Sequence, residues 1–345
     1  MSDFKINSIA TKQGQHGPVI AGVSTVNSTG CMKIPSGPTE FRGGRTRGVV
    51  AGSTPSETNT MQFITITTAG DAIDFGDLTL ARRDPGGLGS SVRGVFPVGG
   101  YPSQFKVIDF TTFSSGGGAT DFGDARITAF QASGTSNNVR GIFAGGVKSS
   151  PTRGQSNIDF ITIASTGDSN EFGNLSSVRW GAGGVNSPTR AIFAAGAGTP
   201  TYLKAIEFVT IATLGDSQDF GEVSTAVRNL YSACSSTRGV FAGAQTSSNS
   251  PYSYVNTIEF LTIATLGNTS DFGDMTQARS RGAGVSNSIR GVFLGGIRPG
   301  SPSTYTNRID FVTIASTGNA TDFGDLLAAI GSMGGASDSH GGIGL

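Results

Sequence analysis

Histidine, cysteine and tryptophan are nearly missing from this chain: two, two and one among 345 residues. A Ser-His-acid or Cys-His pair could run only through His16 or His340, and no nucleophile motif accompanies either. Cys31 and Cys234 have no spacing that asks for a disulfide or a zinc site, so both read as small buried hydrophobes. Charge is scarce and balanced, 24 basic against 24 acidic residues, which leaves no global field to draw nucleic acid or anionic lipid. No apolar run approaches the roughly eighteen residues of a membrane helix. The opening Met1-Ser2-Asp3-Phe4-Lys5 lacks the apolar core of a signal peptide. A helical hydrophobic period is absent as well. Catalysis, a cofactor, a metal, nucleic-acid binding and membrane insertion are therefore not expected.

Glycine, by contrast, is abundant at 53 residues, and it falls at recurring positions, which argues for turns over disorder. An Arg-Gly/Ala-aliphatic opening stands at Arg47, Arg93, Arg140, Arg190, Arg238 and Arg290, at steps of 46, 47, 50, 48 and 52 residues. A Phe-Gly pair, usually within DFGD, recurs in step at Phe75, Phe122, Phe172, Phe220, Phe272 and Phe323. A period near fifty residues is the mark of a repeat architecture.

Each unit is written in strand chemistry. The segment RGIFAGG (140–146) is short, holds Ile and Phe, and ends on a Gly pair suited to a bulge or close backbone approach. The next segment, such as NIDFITIAST (157–166), is rich in β-branched residues, and its alternation slips at Phe160–Ile161, as suits a strand covered on both faces. A turn, STGD or TLGN, leads to the strand carrying DFGD, and a weaker strand such as GAGVSN (282–287) precedes the next Arg. Four short strands per unit make a blade, and six blades in a ring make a β-propeller over residues 41–345. A seventh blade would require two further strands from residues 6–34. The first unit lacks a good counterpart of 282–287, and Ser337–Ile343 lines up with Ser286–Val292, so a C-terminal strand is expected to close the ring. Residues 1–40 stand outside the repeat and hold up to three short strands, too few for a core of their own, and read as an attachment or oligomerisation segment.

Two charged patterns recur. An acid precedes a Phe at Asp109, Asp159, Glu207, Glu259 and Asp310, with Gln62 in the first unit, and further acids flank Phe-Gly, as at Asp121/Asp124 and Asp322/Asp325. These acids either cap turns and pair with the strand-opening arginines or form a ring of cation sites. The tolerance of Gln62 and Asn174 without visible compensation favours the first. Gly116-Gly117-Gly118 opens no helix and is no phosphate loop.

The loops after the Gly pair vary while the strands around them hold steady. Five of the six tyrosines lie there, Tyr101, Tyr202, Tyr252, Tyr254 and Tyr305, together with Arg298. Successive blades bring these loops to one side of the ring. Tyr among Ser, Thr and Asn offers rigid amphipathic area and adaptable hydrogen bonds, suited to stacking on sugars, so these six residues are the expected ligand-binding set. The competing reading is that each Tyr covers a neighbouring turn. Trp180 reads as a packing residue.

The unit, with its Gly-Gly, acid-bearing strand and Ala-Arg ending (Ala81-Arg82, Ala278-Arg279), resembles the kelch repeat across residues 41–345, with Phe of DFGD where kelch repeats carry Trp. Copper oxidases built on that fold need His, Tyr and Cys ligands that this chain does not supply. A narrower resemblance joins Ile6–Ile9, Gly17–Thr25 and Ile34–Gly37 with the wording IDFVTIASTGNATDFGD: the chain is similar to virion structural proteins of tailed phages of marine cyanobacteria. That resemblance implies a non-enzymatic virion component (tail fibre, tail-associated or head-decorating) assembled in the host cytoplasm. Residues 1–40 would dock on other virion proteins or a second copy, and the propeller loops would meet a host-surface glycan or protein. The alternatives are a cellular sugar- or protein-binding propeller and a purely structural virion spacer.

Overall fold

The structure is a computed structural model that describes residues 46–100, 103–148, 154–246, 252–300 and 304–343. The expected attachment segment at 1–40 lies outside the described residues. Six four-stranded antiparallel sheets follow one another along the chain, each ordered from the innermost strand outward, and they form a six-bladed propeller. Blade 4 is typical: Gly183–Asn186, Arg190–Ala194, Ala205–Thr210 and Gln218–Glu222, from the axis to the rim. Blade 1 takes its innermost strand, Gly334–Ser337, from the far end of the chain, where it pairs antiparallel with Arg47–Ala51. The ring is thus closed by main-chain hydrogen bonds, as expected from the repeat wording.

The arginine strands are buried on both faces because each blade is covered by two neighbours. In Arg140–Ala144, Ile142 joins the core between blades 3 and 4, while Phe143 joins the core between blades 2 and 3. Six such cores exist, one per junction. The break in alternation falls earlier than Phe160–Ile161: the ladder to the DFGD strand shifts register between Ile158 and Asp159, which are both buried, and the same bulge recurs in every blade. The Gly of DFGD is required at this place. A Cβ on Gly123 would lie 2.5 Å from the Gly167 carbonyl oxygen of the next blade's turn. That turn also donates its Gly N–H to the Phe carbonyl of the preceding blade, six times around the ring at 2.7–2.9 Å, and so covers much of each rim edge. Asp71, Asp168, Asp216, Asn268 and Asn319 then accept the N–H of the last DFGD residue of the blade before, at 2.8–3.0 Å.

The strand-opening arginines do not pair with the recurring acids. Each stacks on the Phe diagonally across from it on the neighbouring strand of its own blade, with the guanidinium carbon 4.3–5.1 Å from the ring centre. Each also donates to a main-chain carbonyl of the next blade, from Arg93 to Ile163 at 2.9 Å through Arg290 to Ile66 at 3.2 Å, with Arg47 reaching Phe113. The acids are met by a different set, the arginine seven residues after the DFGD Phe. Arg82 pairs with Asp109 at 3.0 Å and Arg279 with Asp310 at 3.2 Å, all fully buried, and Arg179 pairs with Glu207. In blade 2 that position is Ala129, and Arg126, three residues earlier, reaches Asp159 at 3.1 Å instead. The junction of blades 6 and 1 corrects the sequence reading. Ile330 replaces the arginine there and Gln62 replaces the acid, so Gln62 is compensated; its Oε1 accepts the Leu327 N–H at 2.9 Å.

Restoring the acid alone should therefore harm the fold. Gln62→Glu places a carboxylate at a site only 4% exposed and without a cation, and should cost about 1–3 kcal/mol in urea unfolding. Adding Ile330→Arg should recover most of that loss in a double-mutant cycle.

Candidate functional site

Nine residues after each DFGD Phe the chain passes the axis in a left-handed conformation. Asp84, Gln131, Gly181, Asn229, Arg281 and Ser332 have φ between 51° and 62°. Only one is glycine, so the strain in the other five must be offset. The offset is visible: the N–H of each donates to the carbonyl of its counterpart one blade back, and Asp84 donates to Ser332, so six hydrogen bonds of 2.5–3.1 Å form a closed circle around the channel mouth. A Cβ on Gly181 would sit 2.3 Å from Asn229 Oδ1, which is why the sixth residue is glycine. The mouth holds a cavity of about 80 Å³. Its one acid, Asp84, lies 3.5 Å from Arg281 and 3.7 Å from Arg83.

The Gly-pair turns bond to this same connection, as Gly100 does to Arg83 O and Gly196 to Val227 O, so the variable loops stand around the mouth. Tyr202, Tyr254 and Tyr305 occupy equivalent places in blades 4, 5 and 6. Each is the outer member of a three-residue cross-strand row: Trp180–Ala197–Tyr202, Arg228–Gln245–Tyr254 and Ser280–Ile297–Tyr305. Directly paired residues share a sheet face, so the rows lie side by side on the loop face. Adjacent rows interlock. The Arg228 guanidinium lies 5.1 Å from the Tyr202 ring centre and 3.4 Å from Gln245 Oε1, and Gln245 Nε2 donates to the Tyr202 hydroxyl at 3.3 Å. Burial raises the Tyr202 phenol above its usual range, against the pull of Arg228 and Arg281, with Tyr252 and Tyr254 adding to the rise. Burial likewise lowers Arg228.

Of the residues expected from sequence, Tyr202, Tyr252 and Tyr254 come together. Tyr252 is the most open, 44% exposed. Tyr305 lies one blade on, and Arg298 is exposed beside it, paired with Thr304. Tyr101 lies outside the described residues. Trp180 packs, as expected: a Cβ on Gly154 would meet its ring at 3.2 Å. Sequence reasoning missed Arg228, Gln245, Arg281, Asp84 and Asn229. For Asp84, Asn229 and Arg281 the signal was present in the fixed spacing of nine from the Phe of each Phe-Gly pair, but those positions carry unrelated residue types; Arg228 and Gln245 are brought in only by strand pairing.

The opposite end of the channel is filled by the chain itself. Residues 338–343 turn inward, and His340 Nε2 donates to Gly89 O at 2.9 Å while Nδ1 accepts from Gly342 N–H and Asn186 Nδ2, both at 3.2 Å. Burial pulls this imidazole down to about 4. Cys234, a free buried thiol, donates to Asn186 Oδ1 at 3.0 Å and is raised by burial. Cys, Asn and His thus stand together with their hydrogen bonds already committed, and the thiol is the opposite of an activated one. Among the described residues no group of three or more His, Cys, Asp or Glu is arranged to hold a metal ion.

No family model and no curated protein matches the chain. Among solved structures it resembles one described as "Structure of YjhT", with a TM-score of 0.62 at 13% identity, covering 79% of this chain and 96% of that one. That likeness shows the propeller fold.

The channel plug has opposed titrations. His340, depressed from 6.5 to about 4, contributes stability that is whole above pH 6.5 and lost as pH falls toward 4. Asp338, raised by burial from 3.8 to about 7, contributes stability that is whole below 3.8 and lost as pH rises toward 7. Between these limits the two should largely cancel. Melting curves should separate them: Asp338→Asn should grow more stable from pH 4 to 6.5, and His340→Gln less stable from pH 4 to 7.

Proposed function

We propose that this protein is a non-enzymatic binding propeller whose loop face, centred on Tyr202, Tyr252, Tyr254 and Arg228, engages glycans at a cell surface. The observation that carries the reading is the row of tyrosines at matching places in blades 4–6, with Arg228 stacked on Tyr202 and both tied to Gln245. Ring faces and guanidinium groups held in place by a rigid scaffold lose little entropy on binding and suit the alternating apolar and hydroxyl faces of a sugar. A further support is that the buried His340 and Cys234 have their hydrogen bonds spent within the channel. The wording that resembles virion proteins of cyanobacterial tailed phages supports reading this binding as that of a virion component (tail-fibre, tail-associated or decorating), with residues 1–40 as the proposed attachment to other virion proteins or to a second copy.

The full chain should bind intact cyanobacterial host cells saturably. Changing Tyr202, Tyr252 and Tyr254 to Ala should weaken that binding at least about 10-fold while the melting temperature stays within a few degrees, since base- or sugar-type stacking on an aromatic ring contributes about 1 kcal/mol or more per ring. Equal binding by both forms would move the contact elsewhere, and binding by neither would favour the structural spacer.

A further inference from the structure

The six blade junctions serve as controls for one another. At the junction of blades 3 and 4, Glu207 accepts from Ser176 N–H and hydroxyl and from the Ser217 hydroxyl, and its remaining partner is the Arg179 guanidinium. At the junction of blades 4 and 5, Glu259 repeats the neutral half of that arrangement: Ser224 N–H at 3.2 Å, the Ser224 hydroxyl, and the Thr269 hydroxyl at 2.6 Å. The cation is missing. Val227 stands where Arg179 stands, and among the described residues Glu259 has no ion-pair partner. Blade 2 replaces a lost arginine with Arg126, and the junction of blades 6 and 1 loses arginine and acid together. Only here, among the described junctions, is the acid kept and the cation dropped.

The space is kept too. A cavity of about 50 Å³ lies between Val227 and Glu259, open to solvent past Ser224 and Thr225 and walled by Val223, Phe241 and Val255. Arg179 also donates to the carbonyls of Ala195 and Ala205, and the residues at the equivalent places, Gly243 and Thr257, both line this cavity. A carboxylate, two carbonyl-bearing residues and an apolar collar are therefore laid out as they are around a built-in arginine, with the arginine taken away.

We propose that this cleft binds an alkylguanidinium supplied from outside, the side-chain chemistry of arginine, with the planar group on Glu259 and the alkyl stem along Val223, Val227 and Val255. A guanidinium matches a carboxylate through two parallel N–H donors, which an ammonium cannot do. The site is separate from the tyrosine rows and does not depend on their role.

The test uses the full chain and thermal unfolding at constant ionic strength, with n-propylguanidinium, n-propylammonium and blocked arginine (N-acetyl-arginine amide) as probes at low millimolar concentration. Propylguanidinium should raise the melting temperature of the unaltered protein by about 1–3 °C, propylammonium by clearly less. The shift should vanish in Glu259→Gln and in Val227→Arg, and Val227→Arg alone should melt higher than the unaltered protein because it fills the cleft from within. A shift with blocked arginine as well points to a partner polypeptide, and a shift with propylguanidinium alone to a small ligand; both support the site. No shift in the unaltered protein, an equal shift in Val227→Arg, an equal response to propylammonium, or a Val227→Arg protein that melts lower would each overturn it. Should Glu259→Gln fail to fold, Val227→Arg carries the decision.

Discussion

The propeller depends on one repeated contact, the guanidinium that opens each second strand. It is stacked on a Phe of its own blade and bonded to a carbonyl of the next, so a single side chain serves as both packing inside a blade and fastener between blades. Each stack contributes about 0.5–1 kcal/mol, a modest sum. Its importance is positional. A sheet of four short strands has two apolar faces and no stability alone, and the contact fixes the angle at which the next sheet arrives to cover them. The Phe that receives the guanidinium also meets the DFGD Phe edge-on, as Phe110 does Phe122 at 5.9 Å, which carries the same constraint out to the rim.

Departures from the repeat are as informative as the repeat. Buried charge pairs are replaceable as pairs, and removing one member alone is what costs. The junction of blades 6 and 1 obeys that rule by changing Gln62 and Ile330 together, and the junction of blades 2 and 3 obeys it by drawing on Arg126. The Val227–Glu259 junction is the exception, relieved in part by solvent access and by two hydroxyls. A chain of near-identical units thereby carries local chemistry at one place while the backbone frame stays the same.

Most of the architecture was legible because it rests on periodic signals. The fifty-residue spacing gave the number of blades, and the likeness of Ser337–Ile343 to Ser286–Val292 announced the closing strand. The likeness ends one step further on. At the place where Arg290 begins a strand the chain has Gly341, and without the guanidinium the segment turns into the channel and puts His340 there. The partners of the recurring acids were misread for a different reason. Two arginine series run through the repeat, and only the three-dimensional offset between neighbouring blades decides which one meets Asp109 or Asp310. The tyrosines were legible as a group but not as a row, since their equivalence appears only through pairing with Ala197, Gln245 and Ile297.

The circle of hydrogen bonds at the channel mouth has an electrostatic consequence. Peptide groups joined N–H to carbonyl along a helix add their dipoles into a field at each end. The six at this mouth are joined around a loop, from Asp84 through Ser332 and back. Vectors laid head to tail on a circle sum to nothing in the plane of the ring. The frame is therefore nearly neutral toward anything at the axis, and the potential there is written by the side chains at the six positions, at present two amides, a hydroxyl, a glycine and the Asp84–Arg281 pair. Evolution can rewrite the charge of that mouth one residue at a time without touching the bonds that hold it open.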